Sequence, residues 1–258
     1  MSQGNQKDRT VKTAETVFDV LETIKRSNGV KLQEIADSCG LAKSTAYAHL
    51  QTLISNEYVV KQDREYHLGS KFLGYGIRAQ RRNPLVKRAM PIVDRLARET
   101  TELVWLGAEE YGRMYFIYTA EGERALQTAG QLGSSLPMHS CATGKAILSR
   151  LPQDRVDNII EKKGLEPVTE NTIVERDVLY DDLEQSAEQG YAITEAEQVE
   201  GVRCIAVPVV VNGSVLGAIS IPGPEQRMRG AYLYETLAER LFEATNELEL
   251  LIRFGPDS

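Results

Sequence analysis

Apolar residues first fall at helical spacing between Ala14 and Arg26, where Val17, Phe18, Leu21 and Ile24 share one stripe behind Thr13 as N-cap. Asn28-Gly29 ends this segment, Gly29 suiting a left-handed cap. A short helix is predicted over Leu32 to Ser38 with Leu32, Ile35 and Ala36 inward, and Cys39-Gly40-Leu41 reads as a tight turn. A third helix fits Lys43 to Asn56, burying Ala46, Leu50 and Leu53. Two β-type runs follow, Tyr58 to Lys61 and Glu65 to Leu68, joined as a hairpin by Gln62-Asp63-Arg64. Three helices and a hairpin in under 70 residues form a winged helix-turn-helix pattern (residues 1–69), in which Gly40 lets the chain turn between steeply crossed helices.

Residues 70–88 read as a linking helix: Phe72, Leu73, Tyr75 and Ile77 cluster as on a buried face, and Arg78, Arg81, Arg82, Lys87 and Arg88 give a basic end, either a DNA flank or a solvated helix terminus. Asn83-Pro84 breaks or restarts it. From 89 to 258 the pattern is α+β. A helix fits Val86 to Thr100, with Met90, Val93, Leu96 and Ala97 inward. Strands fit Glu102 to Ala108, Met114 to Thr119, Tyr191 to Thr194, Arg203 to Val211 and Ser214 to Ile221. Asn212-Gly213 between the last two is a strong hairpin signal. Helices fit Gly144 to Leu151, Gln153 to Lys163, Val178 to Gln189 and Gly230 to Arg253, the last carrying Leu233, Leu237, Leu241, Ala244, Leu248 and Leu251. The expected class is α+β: a mixed or antiparallel sheet with flanking helices behind the winged domain.

Charge sharpens this division. The chain carries a net −7, yet residues 1–88 hold 15 Lys and Arg against 9 Asp and Glu, a net +6, and the rest a net −13. A basic segment suits phosphate neutralisation, so the overall acidity does not exclude nucleic acid. No apolar run is long enough to span a membrane, and the polar stretch Met1 to Thr13 has no secretory h-region. Cys39, Cys141 and Cys204 have neither paired nor metal-type spacing. A reducing cytoplasm without disulfides, metal or cofactor is therefore expected.

The third helix offers an acid-free face of Lys43, Ser44, Thr45, Tyr47, Ala48, Gln51 and Ser55, suited to a major groove; the alternative is a helical bundle for protein contact. Downstream, Leu136 to Lys145 is a small-residue stretch leading into a helix near Thr143-Gly144, whose free N–H groups favour an anion. It is not a phosphate loop, because His139 replaces the first glycine and Ala146 follows Lys145. His139 and Cys141 form a candidate base and thiol without a clear third group, against the plainer reading of a buried cysteine. Glu195, Glu197 and Glu200 lack a nearby second histidine and read as a solvated acidic turn or an effector-loop acid. Arg203 either meets a ligand carboxylate or pairs with Glu197 or Glu200.

The whole chain resembles the IclR family of transcriptional regulators. In the first domain the resemblance is carried by Leu32-x-Glu34-Ile35-Ala36, Gly40-Leu41-x-Lys43-Ser44-Thr45 and Tyr58-Val59. In the second it is carried by Leu136-Pro137-Met138-His139 to Gly144-Lys145-Ala146, Gly190-Tyr191, Glu197, Gly201, Cys204-Ile205-Ala206-x-Pro208-Val209 and Ser220-Ile221-x-Gly223-Pro224. It implies a winged helix for DNA, a linking helix, a GAF-like domain for a small effector, and dimers or tetramers. The family's pocket positions fall on Leu136, Ala142, Thr143, Thr194, Val202, Cys204, Ser220 and Pro222. Thr194 stands at a family aspartate position and Pro222 at a serine, which argues against the smallest keto acids and for a larger or less polar catabolite, such as a sugar acid or an aromatic.

The expected function is a ligand-responsive regulator of a catabolic or metabolic operon, not an enzyme. Lys43, Ser44, Thr45, Tyr47, Ala48 and Gln51 would meet operator DNA, with Arg64 at the wing tip. The effector would be an organic acid or related catabolite, and the protein a homo-oligomer. The rival expectation is a thiol-dependent hydrolase or transferase using Cys141 and His139.

Overall fold

The computed structural model describes residues 10–126 and 130–255, so most of the polar N-terminal stretch lies outside the described residues. The chain separates into two compact units that divide between Ala79 and Gln80, earlier than residue 89.

The first unit runs α1 (Lys12–Lys25), β1 (Val30–Lys31), α2 (Leu32–Ser38), α3 (Lys43–Ser55), β2 (Val59–Gln62), β3 (Glu65–Leu68) and α4 (Lys71–Arg82), the last crossing the divide. Val20, Ile24, Val30, Ile35, Leu50, Leu53, Val59 and Tyr66 make its core. Of the expected α1 stripe, Ile24 is buried and Val17 and Leu21 pack against the core, but Phe18 is 65% exposed and Val20 is buried in its stead. Thr13 lies inside the first turn, and the N-cap is Val11. Gly40 has φ +62 with open space around it, so its role is the left-handed turn between α2 and α3. The hairpin of β2 and β3 is joined by the two-residue β1, giving an antiparallel sheet in the order β1-β3-β2. Two residues are too few to carry a period, which is why the sequence pattern missed β1.

The linking helix breaks at Asn83-Pro84, as expected, so that two helices span this stretch. α4 stops at Arg82, and α5 (Pro84–Thr100) starts after Asn83, whose side chain accepts from the Leu85 N–H at 3.0 Å. Proline suits that first helical position because its missing donor would be unpaired anyway. No residue of α4 is buried, and Leu73, Tyr75 and Ile77 stand exposed, contrary to the expected covered face.

The second unit continues with β4 (Leu103–Glu110), β5 (Arg113–Glu121), β6 (Ser135–Pro137), a 3-10 turn at Met138–Ser140, α6 (Ala142–Leu148), α7 (Gln153–Lys163) and α8 (Arg176–Gln189). It closes with β7 (Ala192–Glu195), β8 (Val202–Val211), β9 (Ser214–Pro224), a π-helical stretch at Tyr232–Leu237 and α9 (Ala238–Phe254). The six strands form one sheet in the order β6-β5-β4-β9-β8-β7, and every neighbouring pair is antiparallel. Tyr111-Gly112 and Asn212-Gly213 turn the hairpins with positive φ at both residues, the twist that two-residue hairpins favour.

Strand alternation sends the two sheet faces to different partners. Val104, Leu106, Ile205, Val207, Val209, Ile219 and Ile221 pack against α5 and α9. Leu103, Trp105, Ala206 and Ala218 face the other way, toward α6, α7 and α8. Each large apolar side chain so buried contributes roughly 1.5–3 kcal/mol. Met90 and Leu251, expected inward, are 40% and 39% exposed. Small residues at Ala206, Ala218 and Ser220 leave room on the second face, and the second site lies there.

Candidate functional sites

The first site is the outer face of α3. Ala46, Leu50 and Leu53 anchor the helix, so Lys43, Ser44, Thr45, Tyr47, Ala48 and Gln51 face solvent, with Tyr47 46% exposed. The helix contains no acidic residue. Its N-cap, Ala42, offers no side-chain oxygen to the first-turn N–H groups. Ser55, expected on the same face, donates its hydroxyl to the Thr52 carbonyl at 2.9 Å. Arg64 is exposed in the hairpin turn beside Asp63, whose φ is 54°. A helix with such a face presents donors, acceptors and apolar groups of the kinds that read base edges in a major groove.

The second site is a cavity of about 250 Å³ in the second unit. All eight positions singled out from the resemblance, Leu136, Ala142, Thr143, Thr194, Val202, Cys204, Ser220 and Pro222, line it. Strand register brings the distant ones together: Thr194 pairs with Cys204, Cys204 with Pro222, and Ser220 with Trp105. The Thr143 hydroxyl donates to Ser220 Oγ at 2.8 Å, tying α6 to β9. Gly144 lets α6 pack close on the preceding 3-10 turn, since a Cβ there would fall 2.1 Å from the Met138 carbonyl oxygen.

Sequence reasoning missed Trp105, Phe116, Ser134, Ser135, Gln198 and Val199 in the lining. The two rings stack at 4.3 Å between centroids, tilted 35°. Both sit at alternating strand positions that read as ordinary core, so no sequence signal marked them. Among the described residues no Lys, Arg, Asp, Glu or His lines the cavity. Its polar groups are hydroxyls, thiols and one amide, so it suits a small, largely apolar molecule bearing hydrogen-bonding groups. The α6 helix has seven residues, too short for the expected anion site at its N-terminus to rest on a helix dipole.

The geometry does not support the thiol-catalyst reading. Burial pushes the Cys141 and Cys204 thiols each up to about 12, so neither is an ionised nucleophile near neutral pH. His139 Nε2–H donates to the Glu166 carbonyl at 3.0 Å, and the Cys141 thiol points at the Pro137 carbonyl, 3.6 Å away. Burial also lowers the His139 pKa, which keeps the ring neutral. The acidic turn is corrected in one residue: Glu195 and Glu200 are exposed, as a solvated turn requires, but Glu197 is not. Glu197 is buried against Lys145, while Arg203 pairs with Glu195 at 2.9 Å and donates to the Met228 carbonyl at 2.8 Å. Among the described residues no His, Cys, Asp and Glu cluster is arranged to hold a metal ion, and no helix is long and apolar enough to cross a membrane.

Two family models match the chain: the bacterial transcriptional regulator IclR C-terminal domain over residues 78–249, and the IclR helix-turn-helix domain over residues 13–63. The HTH-type transcriptional regulator KdgR of Escherichia coli strain K12 is 32% identical over 225 residues, 86% of each chain. The crystal structure of the Thermotoga maritima IclR superposes with a TM-score of 0.77 at 27% identity, covering 95% of this chain and 99% of that one. An IclR homologue from Microbacterium hydrocarbonoxydans, solved with 4-hydroxybenzoate, shares the fold with a TM-score of 0.79 at 22% identity, over 93% of this chain and 98% of its own.

Proposed function

As this chain belongs to the IclR family of bacterial transcriptional regulators, we propose that it represses or activates a catabolic or metabolic operon under control of a small molecule held in the second unit's cavity. One observation carries the reading: a single chain holds both an acid-free, solvent-facing α3 and a cavity lined by all eight expected effector positions. Lys43, Ser44, Thr45, Tyr47, Ala48 and Gln51 meet the groove and its phosphates, and Arg64 meets the flanking backbone. Working on DNA, the protein acts in the cytoplasm.

The cavity takes an organic acid or related catabolite. Thr143, Ser220, Thr194 and Gln198 supply the polar contacts, and Trp105 with Phe116 supplies ring faces. With no cationic side chain among the described lining residues, a ligand carboxylate depends on hydroxyl, amide and backbone donors. Two or more copies act together, because a dimer reads two half-sites. The exposed Phe18 on α1 and Leu73, Tyr75 and Ile77 on α4 support such pairing in the first unit.

Ligand and DNA then act on each other through a coupling free energy, equal in both directions. The test is a thermal-shift screen of sugar acids, short keto acids and aromatic acids including 4-hydroxybenzoate. A band shift on the protein's own promoter follows, with and without each hit. A hit should raise the melting temperature and change the DNA midpoint by about 5- to 150-fold. Thr143→Glu, which fills the cavity and adds a negative charge, should abolish both effects. Ligand stabilisation undiminished in that variant would remove Thr143 from the site.

A further inference from the structure

Two charged side chains stand behind the cavity wall without lining it. Lys145 is the only buried lysine among the described residues. Its ammonium donates to Glu197 Oε1 at 2.8 Å, lies 2.6 Å from Oε2, and reaches Asp182 Oδ2 of α8 at 3.2 Å. The neighbours of each partner do line the cavity: Ala142 and Thr143 precede Lys145 on α6, and Gln198 and Val199 follow Glu197. The pair thus bolts together two walls that come from distant parts of the chain.

The segment it holds is otherwise a short loop between β7 and β8. The Ala196 N–H closes its neck by donating to the Val202 carbonyl at 2.8 Å. Ala196 has φ 54°, a left-handed conformation that a residue with a Cβ keeps only when its surroundings enforce it. The enforcing contacts are the Thr169 hydroxyl on the Ala196 carbonyl (2.8 Å), the Thr172 hydroxyl on the Glu197 carbonyl (2.7 Å), and the Lys145 ammonium.

A buried ion pair is often no more stabilising than apolar residues of the same shape, because both charges lose their hydration. What it adds is direction, since a charge-assisted hydrogen bond fixes distance and angle where an apolar contact does not. We propose that Lys145 and Glu197 are positioning residues of the cavity. They hold the 196–201 loop against α6, and so set where Gln198 and Val199 stand and how far the cavity is closed. This purpose rests on the ligand-binding reading above, but its test needs no ligand.

Trp105 is the only tryptophan of the chain and lies in the cavity wall, so its quenching by acrylamide reports on access. Cys141 and Cys204 line the same cavity, and Cys39 in the first unit serves as internal control. N-ethylmaleimide labelling of the full chain, resolved site by site by mass spectrometry, measures opening at both thiols. Lys145→Met is the cleaner single variant, because the Lys145 charge now lowers the Cys141 pKa. Its loss slows the Cys141 thiol chemistry, so faster labelling of Cys141 reports wider access. Labelling of Cys141 and Cys204 should rise about tenfold in Lys145→Met and in Glu197→Gln, with Cys39 unchanged and Trp105 more readily quenched.

The double variant Lys145→Met/Glu197→Met should regain thermal stability relative to the single variants while the cavity stays open. Folded single variants that label like the wild type would overturn the proposal, and so would a double variant restoring both stability and closure. If the single variants do not fold, the double variant decides alone: raised labelling supports the proposal and wild-type labelling overturns it. A cavity that opens as expected in a protein answering no ligand would keep the positioning pair and remove the ligand reading.

Discussion

Single residues here are fixed by what lies behind them more than by their own chemistry. Gly144 is the clearest case. Any side chain there meets the Met138 backbone at 2.1 Å, which cannot swing aside as a flexible side chain would. Gly144→Ala should destabilise the second unit by roughly 1–3 kcal/mol, read from urea unfolding, as overpacking does elsewhere. Glu102 is a second such residue. Fully buried, its carboxylate accepts from Arg227 Nε at 2.6 Å and from the Tyr232 hydroxyl at 3.1 Å. His139 makes the same point through pH. Its folded pKa lies below the ordinary 6.5, so the unfolded chain takes up the proton first on acidification. The resulting stability is complete above 6.5 and fades as pH falls toward the lowered native value. Between about pH 7.5 and 5.5 the wild type should lose more unfolding free energy than His139→Gln, which keeps a hydrogen-bond donor but cannot titrate. Parallel pH profiles for the two would show that His139 carries no charge cost on folding.

At the scale of elements, helical periodicity reports which face is apolar and is silent about what covers it. The α4 stripe of Leu73, Tyr75 and Ile77 was legible in the sequence, yet the folded chain leaves it in water. The Tyr58 and Tyr75 hydroxyls meet at 2.6 Å, and the Lys71 ammonium sits 4.9 Å from the Tyr58 ring centre, so the helix start is pinned to the winged fold while its apolar side stays open. A second copy of this face is its expected partner. Leu73→Glu with Ile77→Glu should shift the protein toward monomer in sedimentation while leaving the melting of each unit close to wild type, since exposed positions contribute little to the fold. An unchanged assembly state would move the interface elsewhere. The last helix carries a different lesson. Its apolar residues Leu233, Leu237, Leu241, Ala244 and Leu248 are all buried as the spacing predicts, although Tyr232–Leu237 adopts π-helical hydrogen bonding. Side-chain spacing does not distinguish the two ladders over one turn or so.

For the whole molecule, the sequence charge of −7 is the sum of +6 over residues 1–88 and −13 over the rest, and four cations of the basic part, Arg81, Arg82, Lys87 and Arg88, lie beyond the first unit. In the proposed DNA complex phosphate neutralisation falls to the basic segment, through α3 and the Arg64 wing tip, and the acidic remainder of the chain disfavours contact elsewhere. Band-shift affinity should therefore fall steeply with salt, with a log–log slope of about −0.9 for each phosphate contacted. Lys43→Gln and Arg64→Gln should each flatten that slope by about 0.9 without changing the preferred sequence much. A flat salt response in the wild type would sink the DNA reading.

What the sequence determined by itself was local and periodic. The main helices and longer strands, the Asn212-Gly213 hairpin, the buried stripe of α3, all but the last residue of the C-terminal helical stripe and the family motifs are properties of neighbouring residues, and they survived folding. The eight cavity positions were legible only through the resemblance, because nothing in the spacing of Leu136, Thr194 and Ser220 places them near one another. Antiparallel register did that, setting Thr194 beside Cys204 and Cys204 beside Pro222. Only the tertiary structure decided that Trp105 and Phe116 face the cavity, that α4 is uncovered, that the Cys141 thiol stays protonated, and that Glu197 is buried on Lys145 rather than solvated. The physical reason is common to all four. Burial and electrostatic partnership are set by which surfaces meet across long stretches of chain, and a local pattern carries no term for that meeting.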